Sequence, residues 1–437
     1  MSTRTIPELR AQTEFSVPDC EERELANGLT ILAIQRHAVP LAEVRLRIPL
    51  PYSDAATSAV MAQTLLSGTA DKSMNDIAIR LQTVGGSLNA AVDADRFLVA
   101  GNSLSDGLPE LLSTVAEVIQ AASYPDDQVL TERERLADRI NVARQQPAYA
   151  VQRALLERIY GQHPYASQTP EPEDVNEVDG AMLRTMHAQR LQPQGATLVV
   201  VGDLPAGRLL DMGEAALTDW NGVADDLVME PVPPIQAAPV RLADRPGSVQ
   251  SSIRMAMTAL PRTHPDNAAQ QLANLIFGGY ASSRMVANVR EDKGYSYSPR
   301  SLIDHGQAGS VLIVAADVAT EVTAPAFWEM QYELGRMVAT SVTEKELEQA
   351  RRYALGSLRL GTSTQSGLAS LTSTFAGHGL RPGWLLEHAK RLANVTVDDV
   401  RRVSQQLLAP GGCSTVILGD AAQIKEPMEL LANVESS

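Results

Sequence analysis

Cysteine is nearly absent from this chain: Cys20 and Cys413 are the only two in 437 residues. They lie far apart and belong to no Cys-x-x-Cys or Cys/His spacing. A disulfide framework and a cysteine-based zinc site are therefore not indicated, and one long-range pairing stays open. Long apolar runs are missing as well. No stretch reaches about 18 apolar residues, and residues 1–15, with Glu8 and Glu14, lack a secretory core. The expectation is a cytoplasmic chain without a membrane partner. Positive charge is in deficit, with 37 Lys and Arg against 52 Asp and Glu, a formal net charge of −15. That balance repels phosphate backbones and anionic lipid, so nucleic acid is not an expected ligand.

Paired histidines are missing too. The seven are His37, His163, His187, His264, His305, His378 and His388, and no two fall within one helical turn, which removes HExxH, HxxEH and HxH zinc arrangements. GxSxG does not occur, and Gly68-Thr69-Ala70-Asp71-Lys72-Ser73 lacks the glycine that a phosphate-cradling loop places before its lysine.

What is present is a globular composition, 44% hydrophobic and 20% charged, in a chain long enough for two domains of about 200 residues. Those domains are duplicates. Residues 178–203 laid over 395–420 give nine identities in 26 positions, against about two by chance. Both copies read as an amphipathic helix stopped by Pro and Gly, then an apolar strand ending in Gly-Asp, so each domain is expected to close with helix, turn and strand. A weaker echo pairs Thr131-Glu132 with Thr343-Glu344 as helix openings. Pro231, Pro233, Pro234, Pro239 and Pro246 mark an extended connector. The expected division is 1–220, a linker at 221–249, and 250–437.

In the first copy, 30–34 and 42–48 read as strands, with Val44, Leu46 and Ile48 alternating against Glu43, Arg45 and Arg47. Stretches 58–66 and 74–84 read as helices, and Gly85-Gly86 releases the chain into a strand over 87–92. Without regular βαβ alternation the expected fold is α+β: two homologous domains, each a largely antiparallel sheet covered on one face by helices.

The segment 278–298 carries the most specific pattern: Gly278-Gly279, Ser283-Arg284, a short helix ending in Arg290-Glu291, then Gly294 and Tyr297. Met285, Val286 and Val289 form its apolar face, Gly294 caps it, and Tyr297 is expected to start the next strand, so that Arg290 and Tyr297 converge at a helix–strand corner. This pattern resembles the carboxy-terminal signature of the pitrilysin/insulinase-like metallopeptidases, in their two-domain, processing-peptidase-type subfamily. Leu25-Ala26-Asn27-Gly28-Leu29-Thr30 resembles the opening strand of that family, and 198–203 the end of its first domain. Gly86, Ser87, Leu88, Asn89 and Ala90 resemble the strand on which its members lay an extended peptide.

The metal site departs from the family pattern. Anchored on Gly68-Thr69, the HxxEH positions fall at 59–63, where Ala59, Ala62 and Gln63 replace the two histidines and the glutamate base. A register anchored on Pro147 puts Arg139, on a helix over 131–145, at the distal glutamate ligand. A zinc peptidase needs three protein ligands, an open position and a carboxylate base, and these side chains supply none.

The resemblance thus implies a subunit without zinc or any other cofactor, partnered by a homologous HxxEH chain that carries zinc. An unfolded peptide would lie between them, with Arg290 and Tyr297 donating hydrogen bonds to the oxyanion of the attacked carbonyl. A non-catalytic scaffold or peptide-binding subunit is the alternative. On spacing alone, Arg290 also fits a helix carboxy-terminal cation and Tyr297 a strand aromatic.

Overall fold

The computed structural model describes residues 15–223 and 228–436; residues 1–14, read above for their charge, 224–227 of the connector, and 437 lie outside the described residues. The first half contributes β1 (Cys20–Glu24), β2 (Thr30–Gln35), β3 (Leu41–Pro49), β4 (Ser87–Val92), β5 (Arg96–Leu104) and β6 (Thr197–Gly202), in the sheet order β1-β2-β6-β3-β5-β4. The second contributes β7 (Val240–Asp244), β8 (Gln250–Ala259), β9 (Arg300–His305), β10 (Ser310–Ala319), β11 (Ser414–Gly419) and β12 (Val434–Ser436), ordered β12-β7-β11-β8-β10-β9.

The two orders correspond strand for strand except at the outer edge. There β1 runs antiparallel to β2, whereas β12 returns from the carboxy-terminal end parallel to β7. The repeated sequence falls on β6 and β11. Each is parallel to one neighbour (β2, β7) and antiparallel to the other (β3, β8). Both sheets are therefore mixed but largely antiparallel, in an α+β fold.

Helices α1 (Ala55–Thr64), α2 (Met74–Thr83), α3 (Leu108–Ala121), α4 (Asp126–Arg144), α5 (Pro147–Tyr160), α6 (Pro172–Glu177), α7 (Gly180–Arg190) and α8 (Ala206–Leu217) belong to the first half. The second holds α9 (Asn267–Asn274), α10 (Thr323–Ala339), α11 (Glu344–Gly361), α12 (Gln365–Ala376), α13 (Gly383–Asn394), α14 (Val397–Leu407) and α15 (Ala421–Glu429).

Several boundaries differ from the sequence reading for local reasons. Helix α1 starts before residue 58 because Asp54 caps it, accepting from the Thr57 N–H at 2.7 Å. Helix α4 starts at Asp126 behind Pro125, so Thr131 is interior and its hydroxyl donates to the Asp127 carbonyl, while Thr343 is a true cap of α11. The 221–249 stretch is not connector throughout: β7 lies inside it, flanked rather than broken by Pro239 and Pro246, and is held by parallel pairing with β11. The domains also do not close at the repeated strands, since α8 and α15 follow them.

Cover on a single face was the expectation, and both sheets are covered on two. The reason is visible in β6, whose Leu198, Val199, Val200 and Val201 are all fully buried, so both pleat faces need apolar partners. One face of each sheet packs on helices of its own half. The other face is covered by a helix from the opposite half. Helix α5 lays Val151, Leu155 and Ile159 on Ala256, Ile313, Val416 and Leu418 of the second sheet. Helix α12 lays Leu368 and Ala369 on Leu32, Ile34, Val199 and Val201 of the first.

The polar side of β3 is drawn into the same interface. Glu43, Arg45 and Arg47 are buried, with Arg45 bonded to Glu43 at 2.9 Å and to the Ser366 hydroxyl of α12 at 3.0 Å. Gln365 of α12 donates to the Leu41 carbonyl at 2.9 Å. The loop at 163–165, with no chemistry expected of it, ties the halves together. The Tyr165 hydroxyl donates to Asp95 at 2.5 Å and accepts from the Ala308 N–H at 3.1 Å.

Two predictions come from this packing. Leu368→Ala should cost about 2–5 kcal/mol in urea unfolding, because the cavity opens between parts that cannot collapse independently; a change under about 1 kcal/mol would contradict the exchange as a stabilising contact. Burial and the neighbouring Arg262 push His305 down to about 3 and His388 down to about 4, from an ordinary 6.5. Both are neutral when folded, while the unfolded chain takes up protons below about pH 6.5, so stability is full above that pH and falls as pH drops towards 4. The urea midpoint should follow that course, and His388→Asn should flatten part of it.

Candidate functional site

The Arg290–Tyr297 corner is built by a helical segment with wider than α turns, Val286–Asp292. Met285, Val286 and Val289 are buried, Met285 and Val289 anchor the segment to the second core, and Arg290 is left exposed. The Lys293 N–H reaches back to the Asn288 carbonyl at 2.9 Å, five residues away, and the Tyr295 N–H to the Val289 carbonyl at 2.9 Å. Gly294 makes the reversal at φ +66°, a conformation that strains any residue with a side chain. Beyond it the Ser296 hydroxyl donates to the Asp317 carbonyl on β10 at 2.8 Å, pinning the loop.

Tyr297 does not start a strand. It lies in the loop ahead of β9, which opens only at Arg300, because Pro299 has no N–H to give to the ladder. The two side chains nevertheless meet: the Arg290 guanidinium lies 4.9 Å from the centre of the Tyr297 ring. Tyr297 is 83% exposed, so ring and hydroxyl are free to contact another molecule. The one ion pair of Arg290 among the described residues is with exposed Glu291, at 3.2 Å, and a surface pair of this kind holds a side chain weakly.

In the first half, Ala59, Ala62 and Gln63 lie on α1 and Arg139 on α4. Their faces meet: Arg139 Nη2 donates to Gln63 Oε1 at 3.2 Å. The two positions inferred independently for a histidine and a distal carboxylate are thus neighbours, and a guanidinium stands between the helices. Ala59 lines a cavity of about 150 Å3 beside Val92, the end of β4. The donor set does not fit a metal. Two alanines offer no donor, an amide oxygen is a poor one, and a fixed cation repels a second. No cluster of three His, Cys, Asp or Glu placed to hold a metal exists among the described residues.

The adjoining Gly68–Ser73 turn is structural. Its Thr69 hydroxyl and Lys72 ammonium both bind Glu117, at 2.8 and 2.7 Å. Against the effect of burial, those two partners hold the Glu117 carboxyl below its usual range.

Strand β4 is the edge of the first sheet, paired with β5 alone among the described residues. Ser87 and Asn89 are exposed and Leu88 is buried, so the strand is anchored on alternate residues, with no strand on its outer backbone edge among the described residues. Gly86 precedes it in the turn. Helix α1 packs beside β4, which brings the edge strand and the helix of Ala59, Ala62 and Gln63 together. The Arg290–Tyr297 corner belongs to the other half, and no hydrogen bond or ion pair joins it to β4 or α1 among the described residues.

Comparison with known proteins agrees with this architecture. The family model for insulinase (peptidase family M16) matches residues 57–173, and that for the peptidase M16 inactive domain matches 177–353. An uncharacterized zinc protease of Mycobacterium tuberculosis is 24% identical over 424 residues, 94% of this chain and 95% of that one. Mitochondrial cytochrome b-c1 complex subunit 1 of Bos taurus is 23% identical over 277 residues, 62% of this chain and 58% of its own. Among solved structures, a peptidase M16 inactive domain from Pseudomonas fluorescens superposes with a TM-score of 0.85 at 22% identity, covering 92% of this chain and 98% of that one. A protease from Helicobacter pylori superposes at 0.84 with 18% identity, covering 92% and 100%.

The Arg139–Gln63 contact predicts that these positions can hold a metal once they are given ligands. Ala59→His, Gln63→His and Arg139→Glu together should bind one zinc ion per chain on metal analysis after dialysis, and the parent chain none. A triple variant that folds but retains no zinc would show that the three positions do not face a common point.

Proposed function

The chain belongs to the M16, insulinase-type peptidase family, and we propose that within it the protein is the subunit without the metal, completing the active site of a homologous partner. The partner carries HxxEH, zinc and the carboxylate base. An unfolded peptide lies in extended form against the free edge of β4, over Gly86 to Ala90, with main-chain bonds giving affinity without a fixed sequence. Free thiols at Cys20 and Cys413 fit a cytoplasmic setting, and no helix among the described residues is long and apolar enough to cross a membrane.

The observation that carries this reading is the contrast between the two sites. On α1 and α4 every ligand position is replaced and a cation stands among them. At the other site both donors are kept, brought together and left exposed. A guanidinium and a phenol are both protonated at neutral pH, so they need no activation to hold negative charge as it develops on a carbonyl oxygen. Stacking of the guanidinium on the ring limits the rotamers of both, which reduces the ordering each must undergo when the peptide arrives.

A second reading, a scaffold subunit without catalytic role, is favoured by the likeness to a respiratory-complex subunit. In that case the corner is only a helix terminus and its loop.

The two readings separate on mutation. In the reconstituted complex, Arg290→Ala or Tyr297→Phe should lower kcat by about 10²–10³ with KM little changed, the usual scale for one oxyanion donor. Turnover within about twofold of the parent for both variants would leave the scaffold reading standing.

A further inference from the structure

The face of Val286–Asp292 turned away from Arg290 forms one wall of a groove of about 650 Å3, whose other wall is α10. Ala287, Asn288 and Asp292 share that face, and in turns of this width residue 290 points across from it. A peptide held in front of Arg290 and Tyr297 therefore does not fill the groove.

Its rim is aromatic. Trp328 and Tyr332, one helical turn apart on α10, are 55% and 51% exposed, in a chain where only 4% of residues are aromatic. Exposed aromatics concentrated at one opening are a mark of a contact surface. Beneath the rim the charges are almost closed. Arg284 pairs with Glu346 at 2.7 Å, Arg336 with the buried Glu333 at 2.9 Å, and Lys293 with Asp292 at 3.0 Å.

Four carboxylates line the groove against three cations, and the one left over is Glu329. It is half-buried and accepts from the Asn288 amide at 2.9 Å; Lys293, already bonded to Asp292, acts on it only at a distance, and no cation forms an ion pair with it among the described residues. Tyr332 already carries Arg336 over its ring at 5.8 Å, whereas no cation lies over Trp328 among the described residues. The surplus carboxylate beside an open indole makes a socket for one positive charge at the end of an aliphatic stem.

We propose that this groove is where the partner polypeptide docks, through a single arginine or lysine side chain that lies along Trp328 and closes its charge on Glu329. This rests on the reading that a second chain faces this half. Docking here braces the helical segment from behind Arg290, so that assembly and positioning of the donor pair are coupled through one element.

The test needs no partner and no catalysis. The full-length chain is titrated by calorimetry, and by tryptophan fluorescence with the Trp328→Ala signal as the baseline for Trp220 and Trp384, with a blocked pentapeptide carrying a central arginine between leucines, and with its citrulline counterpart, which keeps the shape without the charge. The arginine peptide should bind about tenfold more tightly than the citrulline peptide, the scale of a charge-assisted bond. Glu329→Gln, which preserves the contact to Asn288, should abolish that ratio, and Trp328→Ala should weaken both peptides. Absence of saturable binding, equal affinity for the two peptides, or a ratio that survives Glu329→Gln would each overturn the proposal. Since turnover is not measured, a failure here leaves the role of Arg290 intact, and a failure of Arg290→Ala to affect turnover leaves the socket intact.

Discussion

The structure depends on the exchange of α5 and α12 between the two halves. A sheet whose central strand is apolar on both pleat faces cannot stand with one side in water, and Leu198 to Val201 and their counterparts in β11 make both sheets of that kind. A helix lent by each half to the other removes that exposure from both at once. Burying a Val- or Leu-sized side chain contributes about 1.5–3 kcal/mol, so the four or five strand residues that each borrowed helix seals account for a large part of the stability of either half. The consequence for function is geometric. The edge strand β4 on one half and the Arg290–Tyr297 corner on the other are held by a single packed body, further tied by Tyr165 between Asp95 and Ala308.

Within that body the two candidate regions have opposite electrostatics. Where a metal would need anionic or neutral donors, Arg139 supplies a fixed positive charge and Gln63 satisfies it. Where an oxyanion would need donors, Arg290 and Tyr297 are stacked and unobstructed. On the proposed function, absence of a metal removes the generator of the nucleophile but not the demand for charge stabilisation on the attacked carbonyl, and the two tasks are separable because they fall to different residues on different domains. A duplicated fold is suited to such a division, since each copy presents an equivalent edge strand, β4 or β9, with a helical region beside it.

Much of this was legible in the sequence where local chemistry decides the outcome. Met285, Val286 and Val289 placed the buried face of their segment, Gly294 placed its end, and the Val178–Asp203 repeat placed β6 and β11. The reading failed where tertiary partners decide. The alternation in β3 implied one polar face, yet Glu43, Arg45 and Arg47 are buried because α12 arrives from more than 300 residues away, with hydroxyls that meet Arg45, which in turn pairs with Glu43. Val240–Asp244 looked like connector because prolines flank it, and only its pairing with β11 makes it a strand. The groove beside α10 had no signal in the sequence, since it depends on which charges pair off and which one is left.

The central claim is that this polypeptide can stabilise the carbonyl under attack and cannot produce the attacking species. It is tested most directly by measuring zinc content and peptide hydrolysis for the purified chain alone, for an HxxEH homologue alone, and for the two mixed. The account predicts no stoichiometric zinc and no hydrolysis for this chain, and full hydrolysis only in the mixture, with one zinc ion residing in the homologue. One zinc ion per isolated chain, accompanied by hydrolysis that persists after every other polypeptide has been removed, would contradict it.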